Sequence, residues 1–228
     1  DLSKIVIEDE DSRVPFALHL DHGHTVEECV RAIQAGFTSV MIDGSTLPYE
    51  ENVALTKKVV EIAHAAGVTV EGEIGTIGAI GNSDEGGVTN ITYTRPEDVV
   101  DFVEKTGVDC LAIAIGTAHG IYPKGYTPKL QLELLEEIKK IAPVPLVLHG
   151  GSNNPDDEIA KACKIGIAKV NISSDIKYAY FKKLDEVYKE TGGFVPAKVM
   201  GPAIVDTKAV VKNKMELFNS VGKASLYR

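Results

Sequence analysis

Three of the six histidines follow predicted β-strands. His22 comes after the apolar run 14–20, His119 after the run 110–115 and His149 after the run 144–148. Because parallel strands of one sheet end at the same edge, we expect these side chains to meet there. A lone histidine at a strand end is more often structural, so the joint placement carries the argument. Three imidazoles with one open coordination position are the ligand set of a catalytic zinc ion.

Carboxylates are predicted at the same edge. Asp43 follows the strand 39–42, and Glu71 and Glu73 lie two residues apart in the strand 68–74, so they share one face of it. The plainer interpretation is a structural charge pair, since buried acids usually have partners. The interior of a parallel sheet is otherwise apolar, however, and two glutamates there favour a cation or a catalytic role.

Two loops have the composition of an anion site. Gly150, Gly151 and Ser152 precede a helix that begins near Pro155, and the run 171–174 (Asn-Ile-Ser-Ser) precedes another helix. Glycine lets the backbone approach an anion, and amides at a helix N-terminus present partial positive charge. Each loop alone is an ordinary turn or cap. Together, after two neighbouring strands, they predict a phosphate site.

These residues are positioned by alternating strands and helices. Six β-branched runs (14–20, 39–42, 68–74, 110–115, 144–148 and 168–172) are separated by amphipathic segments, which predicts a parallel α/β sheet covered by helices. Thr25 and Glu28 form a capping box before one helix, and Gly107 ends another. We expect a single domain, 1–228, with the architecture of a (β/α)8 TIM barrel. Only six units are found, so the first two are expected to be missing and the six strands would be numbers three to eight.

Composition excludes several classes of function. The net charge of −9 and the pI of about 5.2 disfavour nucleic acid as a partner. No apolar run approaches the roughly 20 residues of a membrane helix, and no signal segment opens the sequence. The three cysteines, an odd number without CxxC spacing, are expected to be free thiols in a cytoplasmic protein.

Six ordered segments resemble the class II fructose-bisphosphate and tagatose-bisphosphate aldolases. They are HLDHG (19–23), MIDGS (41–45), EGEIG (71–75), GTAHGIY (116–122), LVLHGGS (146–152) and KVNISSD (169–175). The resemblance covers essentially the whole chain. It implies a metal-dependent lyase that cleaves a ketose 1,6-bisphosphate into dihydroxyacetone phosphate and glyceraldehyde 3-phosphate. The segments 21–23 and 149–152 favour fructose over tagatose bisphosphate as substrate.

The resemblance also implies roles for individual residues. His22, His119 and His149 would bind catalytic zinc, Asp21 would exchange the proton of the C4 oxygen, and Asp43 and Glu73 match positions that can hold a second divalent ion. The dihydroxyacetone phosphate site would comprise Gly120, Gly150, Gly151, Ser152, Asn171, Ile172, Ser173 and Ser174, beside a monovalent cation, Na⁺ or K⁺. Members of the family are commonly homodimers or homotetramers.

The sequence departs from the family at two places. A glutamate usually follows the EIG-like segment closely, but here Asp84 and Glu85 come later, and we expect Glu85 or Asp84 to exchange the carbon-bound proton. An arginine often lies near 201–203 to meet the distal phosphate, but here Ile204 and Val205 follow.

Three rival interpretations remain open. Lys169 lies in a predicted strand where a barrel lysine could form a Schiff base with a carbonyl. A metal-dependent hydrolase would use the histidines but leave the phosphate loops unexplained. A non-catalytic barrel subunit of an aldolase would not need the histidine set.

Overall fold

The computed structural model describes residues 14–79, 91–120, 128–193 and 195–227. The strands in the described residues are β1 (His19–Gly23), β2 (Ser39–Ile42), β3 (Thr69–Ile74), β4 (Gly78–Ala79), β5 (Cys110–Ile113), β6 (Ala118–His119), β7 (Leu146–Leu148) and β8 (Ile167–Val170). The helices are α1 (Val26–Gln34), α2 (Tyr49–Ala65), α3 (Pro96–Thr106), α4 (Leu132–Ile141), α5 (Asp156–Ile165), α6 (Ser174–Thr191) and α7 (Pro196–Leu217), followed by a 3₁₀ turn at Lys223–Tyr227.

Six strands form one parallel sheet in the order β1-β2-β3-β5-β7-β8, so each large strand pairs with the next one along the chain. The predicted parallel α/β fold is therefore confirmed. Within the described residues, β1 and β8 each have one neighbour in this sheet. The closed eight-stranded barrel stays a prediction.

The sheet curves so that its two outer strands approach each other. Nδ2 of Asn171, just after β8, donates a hydrogen bond of 2.9 Å to Oδ1 of Asp21 in β1. Nζ of Lys169 in β8 lies 2.9 Å from Oε2 of Glu71 in β3. Side chains on the concave face therefore meet across the sheet, which is the arrangement that a site at this edge requires.

Most of the apolar core lies between the sheet and the helices on its convex face. Val40 and Ile42 of β2, Leu111 of β5 and Phe102 of α3 are fully buried there. The concave face has a much smaller apolar cluster of Met41, Ala112 and Val147, against which Cys110 packs. The polar residues of the site lie on this concave side.

Predicted helix ends are confirmed where local chemistry determines them. Thr25 and Glu28 form the reciprocal capping box that opens α1, with Oε2 of Glu28 accepting from the amides of His24 and Thr25. Gly107 ends α3 in the left-handed conformation, at φ +76°. The last long helix, α7, runs from Pro196 to Leu217 and accommodates Pro202 in its interior.

The first predicted strand was wrong in its position. The run 14–20 was assigned as strand and 21–23 as the following loop, but β1 spans His19–Gly23. Val14 and Phe16 are about half exposed, so the apolar character of this run does not reflect burial in the sheet. The short parallel pair of β4 and β6 was not predicted, since two residues carry no periodicity.

All three cysteines are free thiols, as predicted, with Cys29 buried and Cys110 and Cys163 partly buried. None of the described helices is both long enough and apolar enough to cross a bilayer.

Candidate active site

A bulge in β1 brings two neighbouring polar side chains to the same edge. Pairing with β2 shifts between Leu20 and Gly23, and His22 has a left-handed backbone at φ +47°. In a regular strand, successive side chains point to opposite faces, whereas a bulge re-aims them. Asp21 and His22 therefore both face the concave side, although they are adjacent in sequence.

His119 and His149 approach each other because two backbones pack closely. His119 lies in β6, which pairs with β4 in a separate two-stranded sheet. Gly150, at φ +61°, follows His149, and a Cβ there would lie 2.8 Å from the carbonyl carbon and oxygen of Ala118. Only glycine tolerates both this backbone angle and this approach. The glycine after His149 thus sets the distance between the two histidines.

The three predicted histidines converge. The ring centroids of His22 and His119 are 5.0 Å apart, those of His22 and His149 4.6 Å, and those of His119 and His149 6.2 Å. One ring nitrogen from each lies within 4.8 Å of the other two. His119 is 3% exposed and His149 is fully buried. Such a cluster can hold one ion and shield it from bulk water.

Asp43 orients His22. Its Oδ2 lies 2.8 Å from Nδ1 of His22, and its Oδ1 accepts from the amide and the hydroxyl of Ser45 at 3.0 and 2.7 Å. Burial alone would raise the pKa of Asp43, but the hydrogen bonds from His22 and Ser45 outweigh it and hold that pKa well below its ordinary range. The contact occupies Nδ1 of His22 and leaves Nε2 for the cluster.

Glu71 orients His149 in the same manner. Its Oε1 lies 2.7 Å from Nε2 of His149, and neither side chain is exposed. Burial opposes ionisation of Glu71, but His149 and Lys169 together lower its pKa to about 2. With Nε2 engaged, Nδ1 of His149 is the nitrogen on the side of the cluster, where it also lies 3.3 Å from Nδ2 of Asn171. A carboxylate behind a ligating histidine is the usual support of a metal site.

Glu73 shares a face with Glu71 but has different neighbours. One of its oxygens lies within 4.8 Å of ligand atoms of His22 and Asp43, so these three form a second group suited to a cation. Its buried Oε2 has no hydrogen-bond partner among the described residues. Burial and then the nearby Asp43 carboxylate raise the pKa of Glu73 well above its ordinary value.

The predicted phosphate loops line one cleft next to the histidines. The cleft is lined by Asp21, His119, Gly120, His149, Gly150, Ser152, Asn171, Ile172, Ser173 and Ser174. Gly151 is the only predicted phosphate residue outside this lining. Its amide donates to the carbonyl of Asn171 at 3.1 Å, and a Cβ there would lie 2.6 Å from Val170, so Gly151 joins the two loops by close packing. Ser152 accepts hydrogen bonds from the amides of Ser173 and Asp175.

Of the residues predicted to exchange protons, only Asp21 lies in the described part of the chain. Asp21, half exposed at the cleft, accepts the hydrogen bond of Asn171, and its Oδ1 lies 3.8 Å from Nδ1 of His149. Glu85 and Asp84 lie outside the described residues.

The unsatisfied ring nitrogen of His22 is a further sign that the histidine cluster fits a metal ion. Nε2 of His22 is buried and makes no hydrogen bond with any described residue. A buried, unsatisfied ring nitrogen is costly in a folded protein. Ligation would satisfy it, and the carboxylates behind His22 and His149 would orient both rings toward the same ion.

Comparison with known proteins identifies the family. The family model described as "Fructose-bisphosphate aldolase class-II" matches residues 2–223. This chain is 44% identical over 223 residues to a fructose-bisphosphate aldolase of Geobacillus stearothermophilus, covering 97% of this chain and 76% of that protein. It is 46% identical over 212 residues to the fructose-bisphosphate aldolase of Staphylococcus aureus strain Mu50, covering 92% of this chain and 73% of that protein. The chain belongs to the class II fructose-bisphosphate aldolase family.

A solved aldolase has the same architecture. The crystal structure of the YdjI aldolase from Escherichia coli K12 matches with a TM-score of 0.81 at 34% identity, covering 97% of this chain and 76% of that one. Class II aldolases are generally metal-dependent and act on sugar phosphates. The histidine cluster and the adjacent loop cleft of this aldolase have the chemistry that those properties require.

Sequence reasoning missed part of the site in this aldolase. Glu71 was noted only as a buried acid, and Lys169 only as a candidate nucleophile. The spacing Glu71-Gly72-Glu73 was the available signal, because two acids on one inward face need separate compensation. It did not reveal which partner each acid has.

Proposed function

We propose that this class II aldolase reversibly cleaves fructose 1,6-bisphosphate into dihydroxyacetone phosphate and glyceraldehyde 3-phosphate. The observation that carries the proposal is the convergence of His22, His119 and His149 beside a cleft lined by both glycine- and serine-containing loops. The curated relatives named fructose-bisphosphate aldolase favour fructose over tagatose bisphosphate.

Zinc is the proposed catalytic ion, with His22, His119 and His149 as its ligands. When bound, it supplies a Lewis acid that polarises the substrate carbonyl. Asp43 and Glu71 hold two of the rings in the orientation that ligation needs. Asp43 and Glu73 could hold a second divalent ion, since Glu73 has a buried oxygen without a partner among the described residues.

We propose that the cleft binds the substrate phosphate that remains on dihydroxyacetone phosphate after cleavage. Its lining includes Gly120, Gly150, Ser152, Asn171, Ile172, Ser173 and Ser174. Backbone amides at the start of α6 favour an anion there. Gly151 supports the cleft by packing its two loops together. A monovalent cation, Na⁺ or K⁺, would balance the phosphate charge.

Asp21 is the proposed acid–base group for the C4 oxygen. During cleavage it takes the C4 hydroxyl proton as the C3–C4 bond breaks and the C4 carbonyl forms, and during condensation it returns that proton. The bonding electrons stay on the three-carbon fragment, whose carbon then takes a proton from Glu85. Asn171 donates to Oδ1 of Asp21 and so fixes the carboxylate at the edge of the cleft.

We also propose a domain organisation, an oligomeric state and a location for this protein. Residues 1–228 would form one domain with strands three to eight of a (β/α)8 barrel, and the protein would act as a dimer or a tetramer. Three free thiols and the bacterial relatives support a cytoplasmic location.

The test is a coupled assay on fructose and tagatose 1,6-bisphosphates, with and without a chelator. We expect cleavage of the fructose substrate, loss of activity with chelator and recovery with zinc. Preference for the tagatose substrate would correct the proposed specificity. Chelator resistance together with inactivation by borohydride and substrate would support a Schiff base, and absence of both zinc binding and cleavage would support a non-catalytic subunit.

A further inference from the structure

Lys169 connects two parts of the candidate site. It lies in β8 with its side chain on the concave face, 35% exposed. Its Nζ donates to Oε2 of Glu71 at 2.9 Å and to Oδ1 of Asn171 at 2.7 Å. Glu71 in turn contacts His149, and Asn171 contacts Asp21. One ammonium group therefore lies behind both a candidate metal ligand and the candidate acid–base residue.

On the Glu71 side, Lys169 stabilises a buried charge. The Glu71 carboxylate is fully buried, and its two oxygens have different donors, with Oε1 facing His149 and Oε2 facing Lys169. Because each oxygen accepts from a different side chain, the two contacts together fix the orientation of the carboxylate. Lys169 thereby helps to hold Oε1 of Glu71 against Nε2 of His149, with Nδ1 of that ring on the side of the cluster.

On the Asn171 side, Lys169 determines how the amide group is turned. An ammonium group only donates hydrogen bonds, so the Asn171 atom next to it must be the oxygen. The amide NH₂ is then forced toward Oδ1 of Asp21, at 2.9 Å. With the amide reversed, its oxygen would face the Asp21 carboxylate and repel it. Lys169 thus orients the donor that holds Asp21 in place.

We propose that Lys169 is a positioning residue that couples the metal ligand His149, through Glu71, to the acid–base residue Asp21, through Asn171. This inference rests on the proposed aldolase function and adds a role for a residue outside the ligand and phosphate sets. It also assigns a different role to the candidate Schiff-base lysine. Both contacts of Nζ are to acceptors that support other side chains, and an imine, with at most one N–H, would break at least one of them.

The test uses Lys169→Met, which keeps an unbranched side chain of similar size but removes the charge, and Lys169→Arg as the conservative variant. Lys164→Met is the matched control, since Lys164 is exposed on α5, the helix before β8. Zinc affinity is measured by chelator competition. The values of kcat and KM are measured by steady-state kinetics with fructose 1,6-bisphosphate as substrate. Because losing the support behind a ligand typically costs about 10- to 100-fold in metal affinity or activity, we expect losses of this size in both zinc affinity and kcat for Lys169→Met. KM should stay close to wild type, Lys169→Arg should recover part of both losses, and Lys164→Met should match wild type.

A double-mutant cycle separates this role from a general loss of stability. Glu71→Gln and Lys169→Met should weaken zinc binding by a shared route, so the double variant should lose little more than either single variant. Fully additive losses would overturn the proposal, as would a Lys169→Met variant whose zinc affinity and kcat equal those of wild type. Borohydride trapping of substrate on Lys169 would also overturn it.

Misfolding of the variant and failure of the proposed aldolase function can both be distinguished from failure of the role proposed for Lys169. If Lys169→Met does not fold by circular dichroism, Lys169→Gln replaces it with the same expected losses, because it fills similar space without the charge. If the wild-type protein cleaves no ketose bisphosphate, the proposed function fails, but the zinc-affinity cycle still decides whether Lys169 supports His149.

Discussion

Nδ1 of His22 lies 2.8 Å from Oδ2 of Asp43, so the ends of β1 and β2 are joined by a histidine–carboxylate pair on the concave face of the sheet. The remaining oxygen of Asp43 is occupied by Ser45. Ser45 thus holds the Asp43 carboxylate, which in turn holds His22 with Nε2 directed away from Asp43.

Replacing Asp43 by alanine is predicted to weaken zinc binding by about 10- to 100-fold, because the His22 ring loses its orienting partner. Zinc affinity by chelator competition is the measurement. Asp185→Ala, at an exposed ion pair with Lys189 on α6, is the control and should bind zinc as wild type does. Unchanged affinity in Asp43→Ala would show that His22 does not depend on this contact.

Asp21→Asn is predicted to lower kcat by about 10²- to 10⁴-fold, the usual contribution of a positioned acid–base group. Zinc content should stay near wild type, because the substitution keeps the size of the side chain next to His22. Steady-state kinetics together with metal analysis checks this prediction. A variant that kept most of its kcat would require another group at the C4 oxygen.

Glu71 and Glu73 are predicted to have opposite effects on the stability of the metal-free protein. The pKa of Glu71 is lowered from 4.5 to about 2, so its ionised form stabilises the fold above about pH 4.5, and this contribution is lost as the pH falls toward 2. The pKa of Glu73 is raised well above 4.5, so stability is lost as the pH rises above the unfolded value. At neutral pH, Glu71→Gln should therefore lower the Tm, and Glu73→Gln should raise it.

Thermal unfolding of both variants in chelator, at pH 7 and near pH 4, measures this difference. The Glu71→Gln loss at pH 7 should be on the order of 3 kcal/mol, as expected for breaking a buried charge pair. Both differences from wild type should shrink at the lower pH. Shifts of the same sign at pH 7 would contradict the opposite environments of the two acids.

Glu85 is predicted to exchange the proton on the carbon of dihydroxyacetone phosphate that attacks the aldehyde. Hydrogen exchange from that carbon into solvent, measured for Glu85→Ala and Asp84→Ala, tests this role without requiring the second substrate. Exchange should fall strongly in one of the two variants, with Glu85 the expected one. Wild-type exchange in both would place the base elsewhere.

Much of the site could be predicted because its residues follow strands of one parallel sheet. His22, Asp43 and His149 come at or just after the carboxyl ends of β1, β2 and β7, and chain order alone places those ends together. The two phosphate loops were predictable for the same reason. The helix ends at Thr25 and Gly107 depend on neighbouring residues only, so they could also be read from sequence.

What could not be predicted depends on contacts between distant residues. The bulge in β1 turns Asp21 and His22 to one side, and it arises from a pairing shift with β2 that leaves no periodic signal. The contact between Glu71 and Lys169 joins positions 98 residues apart and exists only because the sheet curves. Local patterns describe the faces of elements, but they do not describe which side chains meet across a curved sheet.

The most direct test of the account is a crystal of the zinc-loaded protein, measured on both sides of the zinc absorption edge. We predict one strong anomalous peak within bonding distance of Nε2 of His22, Nδ1 of His149 and a ring nitrogen of His119. A zinc ion bound elsewhere, or no peak between these rings in an active zinc-loaded enzyme, would contradict the central claim that the three histidines form the catalytic metal site.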